Sequence, residues 1–210
     1  DIKNSPYVVQ YYVVPAGKTL NIDPGVSVLL QVYGVLEVNG YLNALGESDK
    51  RINFLPYVPS SMWGTLKFSN STSTLNFVNL KRGNSIPRLP QNQNGMIWAN
   101  NSNLTINNTL LWDSETNAIG GTDSTLNISN STIGADTKNQ NLFGINTRGG
   151  ALNLDNVSFI NLSVGVEAGC TDCSHPILQK KNMSDANFIN VDYIAEPLIS
   201  WWNAASSTTP

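Results

Sequence analysis

The sequence predicts an all-β chain wound as a right-handed parallel β-helix. Three observations carry that prediction. The first is a recurring cassette. Ile97, Leu104, Ile106 and Asn108 are spaced like Ile119, Leu126, Ile128 and Asn130, and like Ile145, Leu152, Leu154 and Asn156. Each Leu is followed seven residues later by an apolar residue: Leu111, Ile133 and Phe159. The Ile-to-Ile steps are 22 and 26, and a further step of 21 reaches Val166. The second is alternation. Leu-x-Ile describes a short strand with one face buried. The third is the asparagine four residues after each Leu. Outside glycine, Asn is the residue that best tolerates left-handed backbone angles, so it turns a chain sharply. A coil of this size cannot bury its inner face alone, so coils must stack with like residues in internal rows.

The elements follow in order. Tyr7–Val14 is rich in β-formers and precedes the first coil. Leu20-Asn21-Ile22, a Pro24-Gly25 turn, Val26-Ser27-Val28 and Val35-Leu36-Glu37-Val38 alternate as the first coils require, and Ile52-Asn53-Phe54 and Trp63–Phe68 supply the next strands. Leu75-Asn76-Phe77-Val78-Asn79 is a degenerate copy of the cassette, with Leu75 in the place of Leu104. Gly120-Gly121 and Gly149-Gly150 fall between the Ile and the Leu of their cassettes, where turns belong. The chain divides into an N-terminal strand (1–14), a β-helix body (15–202) and a Ser/Thr-rich tail (203–210). The competing fold is an antiparallel, pilin-like sandwich, which also has short strands and frequent turns but does not predict equally spaced cassettes.

Pro15-Ala16-Gly17-Lys18-Thr19-Leu20, Pro24-Gly25-Val26, the stretch Gly34–Leu42, Ile52-x-Phe54 and Trp63-Gly64-x-Leu66-x-Phe68 resemble the opening coils of pectin-lyase-like β-helix surface proteins. The resemblance spans about Val14 to Val166 and implies a fold. It implies no single function, because this scaffold carries lyases, hydrolases, adhesins and tailspikes.

Composition narrows the function. Only 13% of residues are charged and the net charge is −3, against a usual ~25% charged. With no basic run, a nucleic-acid partner is not expected. No window forms a membrane span, since the longest apolar stretch, Tyr7–Val14, contains Gln10. The chain opens at Asp1 without a basic leader, so a signal peptide is expected to be already removed or never present. Polarity comes instead from 29 Asn, 21 Ser and 15 Thr. Nine Asn-x-Ser/Thr triplets begin at Asn70, Asn100, Asn103, Asn107, Asn127, Asn130, Asn156, Asn161 and Asn182. That is under twice the roughly five that this composition yields by chance. They are the candidate N-glycosylation sites, and N-linked glycans are the only non-protein groups expected.

Candidates for chemistry are sparse. Cys170-Thr171-Asp172-Cys173 with the sole histidine, His175, lacks the second Cys pair of a structural zinc site and the βαβ setting of a redox motif. A local disulfide is expected, and no metal. Asp113 and Glu115 would share a face if extended, but no second carboxyl row accompanies them. At the third position after Leu, Asp155 corresponds to Asn107 and Ser129, so no acidic row forms. Nothing resembles a nucleophile elbow or a phosphate loop. Trp98, adjacent to inward Ile97, should point outward and is a candidate sugar platform, with Trp63 and Trp112 beside it as candidates for stacking on sugar.

A stack of coils has two open ends, and open strand edges invite association. Tyr7, Val8, Val9, Tyr11, Tyr12 and Val13 at one end, and Trp201 and Trp202 at the other, are the candidate subunit contacts. The N-terminal strand either caps its own coil or is donated to a neighbour. The composition resembles cell-surface glycoproteins of thermoacidophilic archaea and their pilus-like filaments. The expectation is therefore an extracellular, N-glycosylated structural or adhesive protein without catalytic activity, self-associating head to tail. The alternatives are a carbohydrate-binding or polysaccharide-degrading β-helix.

Overall fold

The computed structural model describes residues 1–83, 95–138, 142–168, 180–184 and 186–197. The cysteines Cys170 and Cys173, His175, Trp201, Trp202 and the tail lie outside the described residues. Among the described residues nineteen strands pair in parallel throughout, with one isolated antiparallel bridge between Val32 and Trp63. All-parallel pairing excludes the antiparallel sandwich and establishes a parallel β-helix.

Three stacks of strands form its sides. The first holds β2 (Thr19–Ile22), β4 (Tyr41–Leu45), β7 (Thr72–Asn76), β10 (Asn103–Asn107), the front half of β13 (Thr125–Gly134), the front half of β15 (Ala151–Ile160) and β17 (Lys180–Ser184). The second holds the front of β1 (Tyr7–Val14), the front of β3 (Ser27–Val38), β5 (Ile52–Pro56), β8 (Val78–Lys81), β11 (Leu110–Trp112), the rear halves of β13 and β15, and β18 (Asn187–Ile189). The third holds the rear halves of β1 and β3, β6 (Thr65–Ser69), β9 (Ile97–Asn100), β12 (Asn117–Thr122), β14 (Phe143–Arg148), β16 (Val164–Ala168) and β19 (Tyr193–Pro197). The chain visits them as first, second, third, then first again, one level on. Among the described residues seven such coils follow β1, which occupies only the second and third sides of a level before them.

Alternation along each strand sends every second side chain inward. Register then aligns those side chains in rows. Leu104, Leu126 and Leu152 are partners in adjacent coils, as are Ile97, Ile119, Ile145 and Val166. A third row runs Val28, Phe54, Leu80, Leu111, Ile133, Phe159 and Phe188. Its last two rings stack with centroids 5.0 Å apart. These rows make up one continuous core. The cassette spacing thus reports coil length: the aligned Leu positions step by 22 and 26 residues.

Corners need left-handed angles, and the expected asparagines supply them. Asn108, Asn130 and Asn156 have φ of 50°, 48° and 51°. Other corners use the same angle with other residues: Asn70, Asn101 and Asp123 between the third and first sides, and Tyr33, Arg82, Asp113, Asn161 and Asn190 between the second and third.

Three local expectations are corrected. Leu75 pairs with Ile106, not Leu104, so Phe77 occupies the corner position of Asn108 with φ 50°. A slip of two residues keeps every side chain on its face, so alternation alone could not fix that register. Gly120-Gly121 lies inside β12, and the turn falls at Asp123 (φ 49°). Asp113 is a corner residue with φ 55°, so it and Glu115 do not share an extended face.

Candidate functional site

The outward amides form rows of their own. The Asn43 amide nitrogen donates to Asn21 Oδ1 at 3.0 Å, Asn79 to Asn53 at 2.8 Å, and Asn153 to Asn127 at 2.7 Å. At the corners Asn101 donates to Asn70 at 2.6 Å, Asn156 to Asn130 at 2.9 Å and Asn190 to Asn161 at 2.8 Å. An amide donates with one end and accepts with the other, so it repeats along a stack without a change of sign.

Hydroxyls complete the corners. Ser102 Oγ donates back to Asn100 O at 2.8 Å across left-handed Asn101, and accepts from the backbone N–H of Ser71 in the preceding coil at 3.1 Å. Ser124 makes the same pair of bonds to Thr122 O and from Ser102 N–H. At the next corner, Thr109 Oγ1 donates to Asn107 O at 2.7 Å, and Ser131 Oγ donates to Ser129 O and accepts from Thr109 N–H. These buried hydroxyls satisfy the backbone where the strand ladder breaks.

That chemistry bears directly on the glycosylation candidates. In the triplets at Asn100, Asn107 and Asn161 the hydroxyl residue, Ser102, Thr109 or Ser163, is buried. Those at Asn70, Asn103, Asn127, Asn130 and Asn156 have both the Asn and its hydroxyl residue at least partly exposed. Asn182 lies on β17. Part of the triplet excess therefore has a structural cause that the sequence alone did not separate.

At the N-terminal end, β1 lies along β3 of its own chain from Tyr7 to Val14, with a register shift between Val9 and Tyr11. In this structure it caps its own coil. Val8, Tyr11 and Tyr12 are exposed, Tyr7, Val9 and Val13 are half-buried. Of the described large apolar residues left exposed, ten lie between Ile2 and Val58 and only Ile189 lies beyond. No Asn-x-Ser/Thr triplet occurs before Asn70. Apart from Ile189, the described exposed apolar residues thus precede every candidate sugar site along the chain. No described helix is long and apolar enough to cross a membrane.

Among the described residues no strand precedes β2 on the first side, so the end of the column is open there. A cavity of about 310 Å³ lies behind that gap, lined among others by Tyr7, Val9, Tyr12, Leu20, Ile22 and Leu36.

The tryptophans separate. Trp63 is fully buried, and its Nε1 donates to Lys81 O at 2.7 Å, so it belongs to the core and not to a sugar platform. Trp112 Nε1 donates to Asp136 Oδ1 at 2.8 Å on an outer corner. Trp98 points outward as expected, level with Lys67 in the coil before and Gly120 in the coil after.

Carboxylates are used in outer hydrogen bonds. Asp113 Oδ1 accepts from Asp136 N–H at 2.9 Å. Glu37 accepts from the Tyr11 hydroxyl at 2.8 Å and from Lys67 Nζ at 3.3 Å. The Tyr11 hydrogen bond, aided by the Lys67 charge, holds the Glu37 carboxyl below its ordinary range, while the same bond pushes the Tyr11 phenol up. A carboxylate lowered on folding contributes stability above its unfolded pKa and loses it as pH falls through the folded one. Glu37→Gln should therefore lower Tm at pH 7. That deficit should shrink once pH drops below the ordinary value of 4.5. A pH series of thermal melts checks this, and a deficit unchanged at pH 2 would refute the role of ionisation.

Arg51 bridges three coils at another corner. Its guanidinium donates to Asn79 Oδ1, Val78 O and Asn108 O and lies 5.8 Å from the Phe77 ring centroid. Burial pushes its pKa down. Among the described residues no three His, Cys, Asp or Glu side chains gather as a metal site would require. The chain matches no protein-family model, no curated protein and no solved structure.

Proposed function

We propose that this chain is an extracellular, N-glycosylated structural or adhesive protein of the cell surface that self-associates, of the kind found in pilus-like filaments of thermoacidophilic archaea. The observation that carries this reading is the separation of its exterior. The early coils present Val8, Tyr11, Tyr12, Tyr33, Tyr57 and Val58 to solvent with no glycosylation triplet among them. The later coils carry all nine triplets and almost none of the described exposed apolar residues. Exposed apolar residues concentrated in one part of an exterior favour contact with another protein there, and glycans would obstruct such contact.

The polar outer rows support a mechanical role. Backbone pairing, apolar rows and amide rows all run along the column axis, so load applied along it passes through each coil-to-coil contact in turn and is shared there by the parallel bonds of three sides. Several described carboxylates, among them Glu37, Asp113 and Asp136, hold hydrogen bonds on an outer surface, which favours this reading over polysaccharide hydrolysis.

Site-by-site mass spectrometry of protein isolated from its native surface tests the sugar coat. Transfer to a folded chain needs both the Asn amide and the hydroxyl two residues on to be accessible. The expected pattern is glycan at Asn70, Asn103, Asn127, Asn130 and Asn156, with Asn100, Asn107 and Asn161 bare. A chain bare at all nine positions would remove the glycoprotein reading.

A further inference from the structure

We infer that two copies of this chain lie side by side and antiparallel, second side against second side, along an apolar ribbon that runs the length of the column. This rests on the self-association proposed above and names its surface.

Register carries the argument. The outward row that ends the second side runs Leu29, Leu55, Lys81, Trp112, Gly134 and Ile160, with Val8 before it and Ile189 after it. Lys81 falls in this row because it follows Leu80 as Leu55 follows Phe54, and those two are partners. Val8 and Ile189 are 49% and 54% exposed, and the larger side chains between them are half-buried. Lys81 is the one charged member of the row. The other sides differ. On the first side the outward row Asn21, Asn43, Thr74, Thr105, Asn127 and Asn153 is polar throughout. On the third side Glu37, Lys67, Trp98, Gly120, Asn146 and Glu167 share a row that carries charge. Every described strand belongs to one of the three stacks, so none of them lies over the ribbon.

The accessible glycosylation triplets spare this face. Asn103 and Asn127 lie on the first side, Asn70 at the corner before it, and Asn130 and Asn156 at the corner after it. Asn161 occupies the corner beyond the ribbon, and there the hydroxyl residue, Ser163, is buried.

Size and pattern select a second copy as the occupant. Eight levels about 4.8 Å apart make a ribbon about 34 Å long, and with the rest of the side about 17 Å wide, so a column laid along it buries about 600 Å² per partner, where specific interfaces begin. Two columns in parallel would set Lys81 on Lys81, and like charges face to face oppose association. Turned antiparallel about a two-fold axis, the ribbon meets itself through a midpoint between Lys81 and Trp112. Lys81, which forms no ion pair among the described residues, then lies against Trp112 of the second copy. A Cβ on Gly134 would come within 2.8 Å of Trp112 Cζ3, so the indole extends over that glycine. The ammonium of Lys81 and the aliphatic chain of Leu55 both suit an indole face. Further out Leu29 meets Ile160, and Val8 meets Ile189. Each contact occurs twice, as a two-fold interface requires. Asn130 and Asn156 then border early coils of the second copy, which carry no triplet.

The pairing of Leu29 with Ile160 supplies the test. Sedimentation velocity over a concentration series reads assembly of the purified full chain, with circular dichroism to check folding. Wild type should form dimers or multiples of them. Leu29→Lys and Ile160→Glu should each weaken association at least tenfold with the spectrum unchanged. The double variant should recover most of that loss, because an antiparallel pair sets each new lysine against a new glutamate. Thr74→Lys, on the first side, should associate as wild type does. If wild type associates and neither single variant weakens it, the ribbon is overturned while self-association stands. Single variants that weaken it with no recovery in the double variant overturn the antiparallel pairing. A wild type that stays monomeric at every concentration overturns both readings and points to a different protein as the occupant.

Discussion

Phe54→Ala is expected to destabilise the chain by about 3–5 kcal/mol, the usual cost of deleting a fully buried aromatic side chain. Phe54 has no exposed surface and stands in the row between Val28 and Leu80. In a column each inner side chain touches chiefly the coil before and the coil after, so the void has two floors that strand hydrogen bonds hold apart. Collapse to fill it would require the backbone spacing of ~4.8 Å to change, which the ladder resists. For a chain of this size the loss corresponds to a Tm lower by about 6–20 °C. Phe54→Leu, which keeps most of the volume, should cost under about 1.5 kcal/mol. Thermal melts followed by circular dichroism measure both. An alanine variant within 1 kcal/mol of wild type would show that the interior is not packed in rows.

Gly150→Ala is expected to cost roughly 3 kcal/mol or more, although it adds only one carbon. Gly150 has φ +72° and sits directly under Ser124 in the preceding coil, where a Cβ would run into the backbone N, C and O of that residue. Two penalties add: a left-handed angle costs an L-residue about 1–2 kcal/mol, and the overlapping atoms belong to a hydrogen-bonded corner that accepts from Ala151 N–H at 3.0 Å. Gly17 isolates the first penalty. Its φ is +73°, but an added Cβ would meet nothing within 4 Å. Gly17→Ala should therefore cost only about 1 kcal/mol. Denaturant unfolding of the two variants side by side decides the matter, and equal losses would contradict the close approach of the coils at Ser124.

These two sites also show how far the sequence could be read. The aligned Leu and Ile rows were legible because three consecutive coils differ little in length, so one spacing recurs. The left-handed turns at Asn108, Asn130 and Asn156 were legible because Asn favours that angle. Tyr33, Phe77 and Arg82 adopt it against their own preference, and only the neighbouring coils impose it. No local signal marks such a residue. The early coils were harder for another reason. Ser73 stands in the Leu row opposite Leu104, with its hydroxyl accepting the backbone N–H of Leu42 at 2.8 Å. A buried serine breaks the apolar pattern that would have fixed the register. Ser102 and Thr109 complete glycosylation triplets in the sequence, but Ser102 turns inward to accept the backbone N–H of Ser71 a full coil away, and Thr109 to donate to Asn107 O across a corner. Trp63 was ambiguous for the same reason, since its indole partner, Lys81, lies 18 residues on.

The open first side beside β1 could not be read from composition at all. Strand propensity marks Tyr7–Val14 as β, but which sides of the column it covers follows only from its pairing with β3.

The rows of neutral amides have one more consequence. Dissolved ions screen interactions between net charges within about 10 Å at 0.1 M. They have little purchase on a short contact between two dipoles with no net charge. Asn21 to Asn43, Asn53 to Asn79 and Asn127 to Asn153 therefore grip one another as firmly in brine as in fresh water, where a lattice of lysines and glutamates on the same outer face would loosen.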